Sequence, residues 1–463
     1  MACVRQKVLV GGEAHARSGR GRRCAVHLGT LLLVVALCWS GSAWAQGEGS
    51  GAEWLPARHI LLHTPGEEVF LGVVHPESAL YENTFDPDKA AAEHRAYIET
   101  LRKLGASKVE TVTDVLLKDT EDPRSGPRQD LIALARKMTT LDVSRLVPDD
   151  QKRQRDEFEK TLKLISPRVL ARMVIQRPTI MLRYTCRTGP SKVQEDDGAC
   201  GNVVADYQVS PLMNLYFTRD PMITTAKGVV LGRLANPQRE AEREVMQFVL
   251  RKMGIRPIHA IGEAGRLEGG DFLPAGERVF IGQGLRTNAV AIREMLENDV
   301  FGVREVVVVK DAWRKQQQMH LDTYFNIIDK DLAVLESGRN LPACKPSIHK
   351  KCLLADVWTR QANGRYALTR KEVNFVKLIG EYKIQLIPVS EEDQRAYGIN
   401  FLTLGPRRIV GVDGVSPKLK RDLVDAKVTA QWIDFSNLKL GYGAAHCTTQ
   451  VLRRGLTEGL TVK

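Results

Sequence analysis

From about residue 228 to residue 433 the chain alternates short apolar runs with amphipathic stretches of helical period. That alternation limits the fold more than any other feature. The apolar runs are Gly228 to Leu234, Arg256 to Ile261, Val279 to Gly282, Glu305 to Lys310, Asn326 to Ile328, Lys383 to Val389, Ile409 to Val412 and Val428 to Ile433. Each has strand length and β-branched content, and the helical stretches Pro237 to Met253, Asn288 to Leu296, Arg370 to Glu381 and Pro417 to Asp425 fall between them. Strands that recur with a helix between them predict α/β units with parallel pairing. The same pattern starts earlier, with a strand from Arg58 to His63 and a helix from Lys89 to Leu104, and breaks off once. Over residues 118–209, three helical stretches (Gln129 to Leu141, Asp149 to Ile165, Pro167 to Ile175) follow one another with no strand between, which predicts a helical insertion.

The ends of the chain read differently. A basic stretch from Arg17 to Arg23, an apolar run from Leu28 to Trp39 and the small-x-small sequence Ala43-Trp44-Ala45 predict a secretory signal over residues 1–45. The apolar run is short for a membrane span, and an uncleaved signal anchor is the alternative. A Gly-rich stretch, 46–53, reads as a linker to a catalytic body over 54–463. Six basic residues and one acidic residue among the first 45 account for +5 of the formal +12, so the rest carries about +7. Its charges of both signs are interspersed without a basic helix or interleaved aromatics, which argues against nucleic-acid binding.

Removing the leader leaves Cys186, Cys200, Cys344, Cys352 and Cys447. An odd count in an oxidising compartment, with Cys186 near Cys200 and Cys344 near Cys352, predicts two local disulfides and an unpaired Cys447. That thiol lies in Gly441-Tyr-Gly-Ala-Ala-His-Cys447. By itself this is as well explained by a small buried hydrophobe in a tight turn.

Three other polar stretches follow apolar runs: Asn214-Leu-Tyr-Phe217-Thr-Arg-Asp220-Pro, Arg266-Leu-Glu268-Gly-Gly-Asp271 and His320-Leu-Asp322-Thr323. Each has an ordinary reading, as a turn or helix cap, a β-turn with solvated acids, and a satisfied polar pair. Together they supply carboxylates, an imidazole and a thiol. Two carboxylates can grip a planar guanidinium through its in-plane N–H groups, leaving its carbon open to a thiolate, while an imidazole moves protons near neutral pH. The Cys and His spacings fit no metal site, and neither a serine elbow nor a phosphate loop is present.

The order of these four motifs resembles the arginine deiminase family of guanidine-modifying enzymes, over nearly the whole chain beyond the leader. That resemblance implies a five-bladed, pseudo-symmetric α/β propeller of ββαβ units, with the helical insertion that smaller dimethylarginine hydrolases lack. It implies Cys447 as nucleophile, His320 as acid and base, Glu268 as its orienting partner, and Asp220 and Asp322 on the guanidinium. Asn214, Arg239 and Arg286 would meet the amino-acid end and Phe217 the guanidinium face, although Arg239 and Arg286 also stand where an arginine is often a surface charge. The implied reaction converts L-arginine to citrulline and ammonia with no cofactor and no metal. An amidinotransferase using the same cysteine and a non-catalytic guanidine-binding protein are the alternatives. The two arginines favour free α-amino acids over agmatine. The sequence leaves the oligomeric state open and is compatible with a homo-oligomer.

Two features depart from the family. Tyr442 stands where an arginine is usual, and Ala444 and Ala445 replace two glycines. The expected secretory leader is unusual in a family of cytosolic enzymes.

Overall fold

The computed structural model describes residues 48–185 and 202–455. The leader and the Cys186/Cys200 pair lie outside these residues. The described residues belong to one compact unit of mixed α/β architecture.

One strand pattern, in which the parallel neighbour follows the central strand in the chain, occurs in five of the six sheets among the described residues. In each sheet a central strand pairs antiparallel with one neighbour and parallel with another that is reached through a helix. The central strands are Ala57–Leu62, Val229–Leu231, Arg278–Gln283, Leu332–Glu336 and Arg408–Val412. The helices that make the crossovers are Pro87–Lys103, Glu240–Lys252, Ala289–Glu297, Phe375–Glu381 and Pro417–Asp425. A parallel neighbour needs such a crossover, whereas an antiparallel one needs only a tight turn, so the order strand–strand–helix–strand follows from chain geometry. Four of the sheets take their strands in chain order. In the fifth, Ala57–Leu62 pairs with Lys108–Thr111 and with Gln450–Arg454, so this sheet joins the two ends of the described chain.

The 46–53 stretch is not a linker over its described part. Ser50 N–H donates to Thr225 O at 2.9 Å, Glu53 N–H to Pro274 O at 2.8 Å, and Arg454 N–H to Gly49 O at 3.0 Å. Glycine serves close approach here, since a Cβ on Gly49 would lie 3.2 Å from Ala226 O. Glu53 is buried and forms an ion pair with Arg454, which also donates to the carbonyls of Leu55 and Thr403 at 2.9 and 2.8 Å.

The insertion contains the expected helices, as Gly126–Lys137, Pro148–Leu164 and Pro167–Gln176, but it also contains strands. Pro178–Thr185 pairs antiparallel with Asn202–Val209 and parallel with Thr140–Asp142. Likewise, the helix expected from Arg370 starts only at Phe375, where Asn374 caps it through Lys377 N–H. The preceding Tyr366–Asn374 is a strand paired with Leu353–Arg360, a hairpin that extends the sheet of Glu305–Asp311. Both differences have one cause. These strands are half-exposed and hold their shape by pairing with distant segments, a term that local pattern does not contain. The Cys344–Cys352 disulfide is present before that hairpin, and Cys447 is the free cysteine among the described residues. No helix among them is long and apolar enough to cross a membrane.

Candidate active site

The polar motifs occupy equivalent places in the repeated sheets. Asp220 precedes the strand Met222–Thr224, Glu268 precedes Phe272–Ala275, His320 and Asp322 precede Phe325–Asp329, and Cys447 precedes Gln450–Arg454. Asn400 holds the same place before Leu402–Gly405. Sequence reasoning missed it, because the strand it precedes is not marked by the local pattern.

Asn400 builds the nucleophile's turn. Its Oδ1 accepts from Ala444 N–H at 3.1 Å and Cys447 N–H at 3.2 Å, and its Nδ2 donates to Asp322 O at 3.4 Å. Arg219 holds the same turn from the other side, donating from its backbone N to Cys447 O at 3.2 Å and from Nε to His446 O at 3.3 Å. Ala444 and Ala445 are fully buried in the apolar cluster beneath, so their methyl groups face the core; Tyr442 is the substituted position that lines the cavity.

Around Cys447 the side chains form a connected set. His320 Nε2 lies 2.8 Å from Glu268 Oε2, and its Nδ1 lies 3.9 Å from Asp220 Oδ1. Asp322 Oδ2 accepts from His446 Nδ1 at 2.7 Å and from the Cys447 thiol at 3.8 Å. Arg239 donates Nη1 to Asp220 Oδ2 at 2.7 Å, and its Nε and Nη2 form a bidentate pair with Glu242, each at 2.8 Å. Arg286 reaches Gln316 Oε1 at 3.0 Å and Glu268 Oε1 at 3.9 Å.

One consequence is central to the chemistry. Asp220 and Asp322 are each anchored by Oδ2, and Oδ1 of each is buried without a hydrogen-bond partner. An orphaned buried carboxylate oxygen is costly, and two beside one thiol await a donor pair of the kind a guanidinium carries.

Asn214, Phe217, Asp220, Arg239, Arg286, His320 and Cys447 line one small cavity, about 20 Å³, with Leu80, Gln316, Met319, Gly441 and Tyr442 around it. That is about the room for one water molecule, so a larger guest has to part the rim. Of the expected residues, Glu268 and Asp322 stand just behind the cavity wall through their contacts with His320 and Cys447.

The electrostatics are uneven. Burial pushes the Cys447 thiol well above its ordinary range, and the charges of Asp322 and Asp220 push it further. Burial disfavours the His320 imidazolium, but Asp220, Glu268 and Asp271 outweigh it and raise the group to about 9. Burial alone would raise Glu268, yet His320 and Arg286 bring it down to about 2. Asp220 is raised by burial in spite of Arg239. These influences keep the proton on sulfur, and a cation bound at the two orphaned oxygens would favour its departure.

The donor atoms of Asp220, Glu268 and His320 also lie within 4.8 Å of one another, a metal-binding spacing. Two guanidinium groups oppose that use, Arg239 on Asp220 and Arg286 towards Glu268.

The repeated α/β units and a buried thiol facing two half-anchored carboxylates define a class: cysteine-centred proteins that grip planar cations. The family model "Arginine deiminase" matches residues 78–454, and the chain belongs to that family. An arginine deiminase of Halobacterium salinarum is 27% identical, with 87% of this chain and 96% of that one covered. A putative arginine deiminase of Mycoplasma pneumoniae is 24% identical over 85% and 95%. A structure of a dimethylarginine dimethylaminohydrolase from Pseudomonas aeruginosa with citrulline is 14% identical over 86% of this chain and 100% of that one, with a TM-score of 0.47.

Proposed function

We propose that the chain hydrolyses the guanidinium of L-arginine to citrulline and ammonia through a covalent adduct on Cys447. The observation that carries this reading is the pair of buried Oδ1 atoms without a hydrogen-bond partner on Asp220, which lines the cavity with Cys447, and Asp322, whose Oδ2 lies 3.8 Å from that sulfur. Each accepts guanidinium N–H groups and holds the plane in front of the thiol. The bound cation favours the thiolate, the thiol proton passes to water, and sulfur adds to the guanidinium carbon. His320, protonated in the free site, gives its proton to the terminal nitrogen, which leaves as ammonia. The adduct is then an amidino thioether. Neutral His320 next takes a proton from water, the resulting hydroxide adds to the same carbon, and the carbon–sulfur bond breaks to release citrulline as the hydroxyl proton returns to the sulfur. Glu268 holds His320 in place and sustains its positive charge.

The five like sheets, one of them joined by both chain ends, support a five-bladed propeller of ββαβ units around the cavity. The leader sequence and the Cys344–Cys352 disulfide support export through the secretory pathway. Purified protein should release ammonia and citrulline in equal amounts without an acceptor amine. Turnover that persists in Cys447→Ser would sink the covalent route, and a required acceptor amine would make the protein a transferase.

A further inference from the structure

Tyr442 lines the cavity beside the nucleophile, and Arg239, one of the two arginines expected at the amino-acid end, has its guanidinium taken by Asp220 and Glu242. Among the cavity-lining residues, Arg286 is the remaining arginine for a carboxylate, and its buried Nε has no hydrogen-bond partner. The rim near Tyr442 has the opposite character. Glu82 is tied beside it, because Glu82 and Asn83 donate their N–H groups to Leu440 O at 2.8 and 3.1 Å. The Tyr397 hydroxyl donates to Glu82 Oε2 at 3.0 Å. Leu440, which holds Glu82, is two residues before Tyr442, and burial and then the charge of Glu82 push both phenols, Tyr397 and Tyr442, above their ordinary value.

The backbone marks the same place. Leu80, Tyr397 and Tyr442 have φ of 66°, 64° and 71°, a left-handed conformation that bulky residues rarely take. The other non-glycine residues with positive φ among the described residues are Asp, Glu, Lys or Arg. Strain held at Leu80 and Tyr442, which line the cavity, and at Tyr397, which is bonded to Glu82, is typical of a ligand site.

We propose that Tyr442, Glu82 and Tyr397 form a recognition site for the substrate's ammonium group, leaving the α-carboxylate to Arg286 alone. A carboxylate set beside Glu82 is repelled, whereas an ammonium gains a charge-assisted hydrogen bond and two aromatic faces. Tyr442 is then the specificity-determining residue, and the chain discriminates guanidines by the amine at the far end more than by the acid. This inference rests on the guanidine-hydrolase reading and names the group that reading leaves open.

Three substrates separate the terms: L-arginine carries both groups, agmatine the amine alone, and 5-guanidinopentanoate the carboxylate alone. Ammonia release by the intact protein should give agmatine a kcat/KM within about tenfold of L-arginine and at least about tenfold above 5-guanidinopentanoate, the worth of one charge-assisted hydrogen bond. Glu82→Gln, at an exposed position, should lower the agmatine-to-5-guanidinopentanoate ratio about tenfold, and Tyr442→Arg should reverse it. If 5-guanidinopentanoate matches or exceeds agmatine in the wild type, the ammonium site is refuted. If no compound releases ammonia, the hydrolase reading has failed instead. Calorimetric affinities for the same three compounds then decide the inference, with the same order expected and the reverse order overturning it.

Discussion

Replacing Glu268 by Gln removes a negative charge whose Oε2 lies 2.8 Å from His320 Nε2, with almost no change in shape. The amide oxygen can still accept from Ala235 N–H, a contact of 2.8 Å in the wild type. His320 is held at about 9 against an ordinary value of 6.5, a shift of roughly 2.5 units or about 3 kcal/mol in favour of the imidazolium. Unit charges 4 Å apart at an effective dielectric of 20 interact by about 4 kcal/mol, so one carboxylate at this distance can supply most of that shift. Asp220 acts on His320 at least as strongly through its charge, Asp271 adds to both, and burial opposes all three. Loss of Glu268 should therefore bring His320 down by about two units, towards its ordinary value. At pH 7.5 the protonated fraction falls from nearly all to about a tenth to a quarter, and kcat should fall several-fold from protonation alone. Histidine NMR, with His320 assigned by its loss in His320→Asn, reads the titration directly, and ammonia release reads kcat. A His320 resonance in Glu268→Gln that titrates within about half a unit of wild type would refute this account of the site. The same couple sets a pH dependence of stability. Because His320 is raised, its stabilisation is full below 6.5 and is lost as pH rises through about 9. Because Glu268 is lowered, its contribution is full above 4.5 and is lost as pH falls through about 2.

Gly443→Ala puts a Cβ 2.3 Å from Phe217 Cε1 and 2.9 Å from Cys447 Cβ, which drives the ring towards the cavity. Steady-state kinetics should show kcat/KM down about 100-fold with a loss of stability of only about 1–3 kcal/mol; activity within threefold of wild type would contradict the packing described. Glu53→Gln leaves Arg454 buried without its countercharge, and denaturant unfolding should show a loss of about 3–5 kcal/mol. A change below about 1 kcal/mol would mean that the first described residues do not hold the chain end. Reduction of the Cys344–Cys352 disulfide, which closes a separation of 8 residues, should lower stability by about 2–3 kcal/mol and leave turnover intact, as thermal melts and assays with and without reductant would show.

The sequence by itself determined the α/β alternation, the helices of the insertion, the free Cys447 and the set of groups that surrounds it. Those are local facts: a period, a cap, a residue type at a strand end. The strands Tyr366–Asn374 and Asn202–Val209 were not legible, because half-exposed strands owe their shape to partners elsewhere in the chain. Nor was the burial of Glu53, which an apparent linker carries to Arg454 some 400 residues away. Asn400 escaped notice because its role is to pin the backbone of another unit, and no spacing in the sequence records that. The allocation of charge also belongs to the tertiary structure. Arg239 reads as a candidate carboxylate binder by its place before a helix, yet the folded chain gives its guanidinium to Asp220 and Glu242. Residue types show which charges are available; their pairing depends on which of them the fold buries together, since a buried charge must find its partner within hydrogen-bond reach.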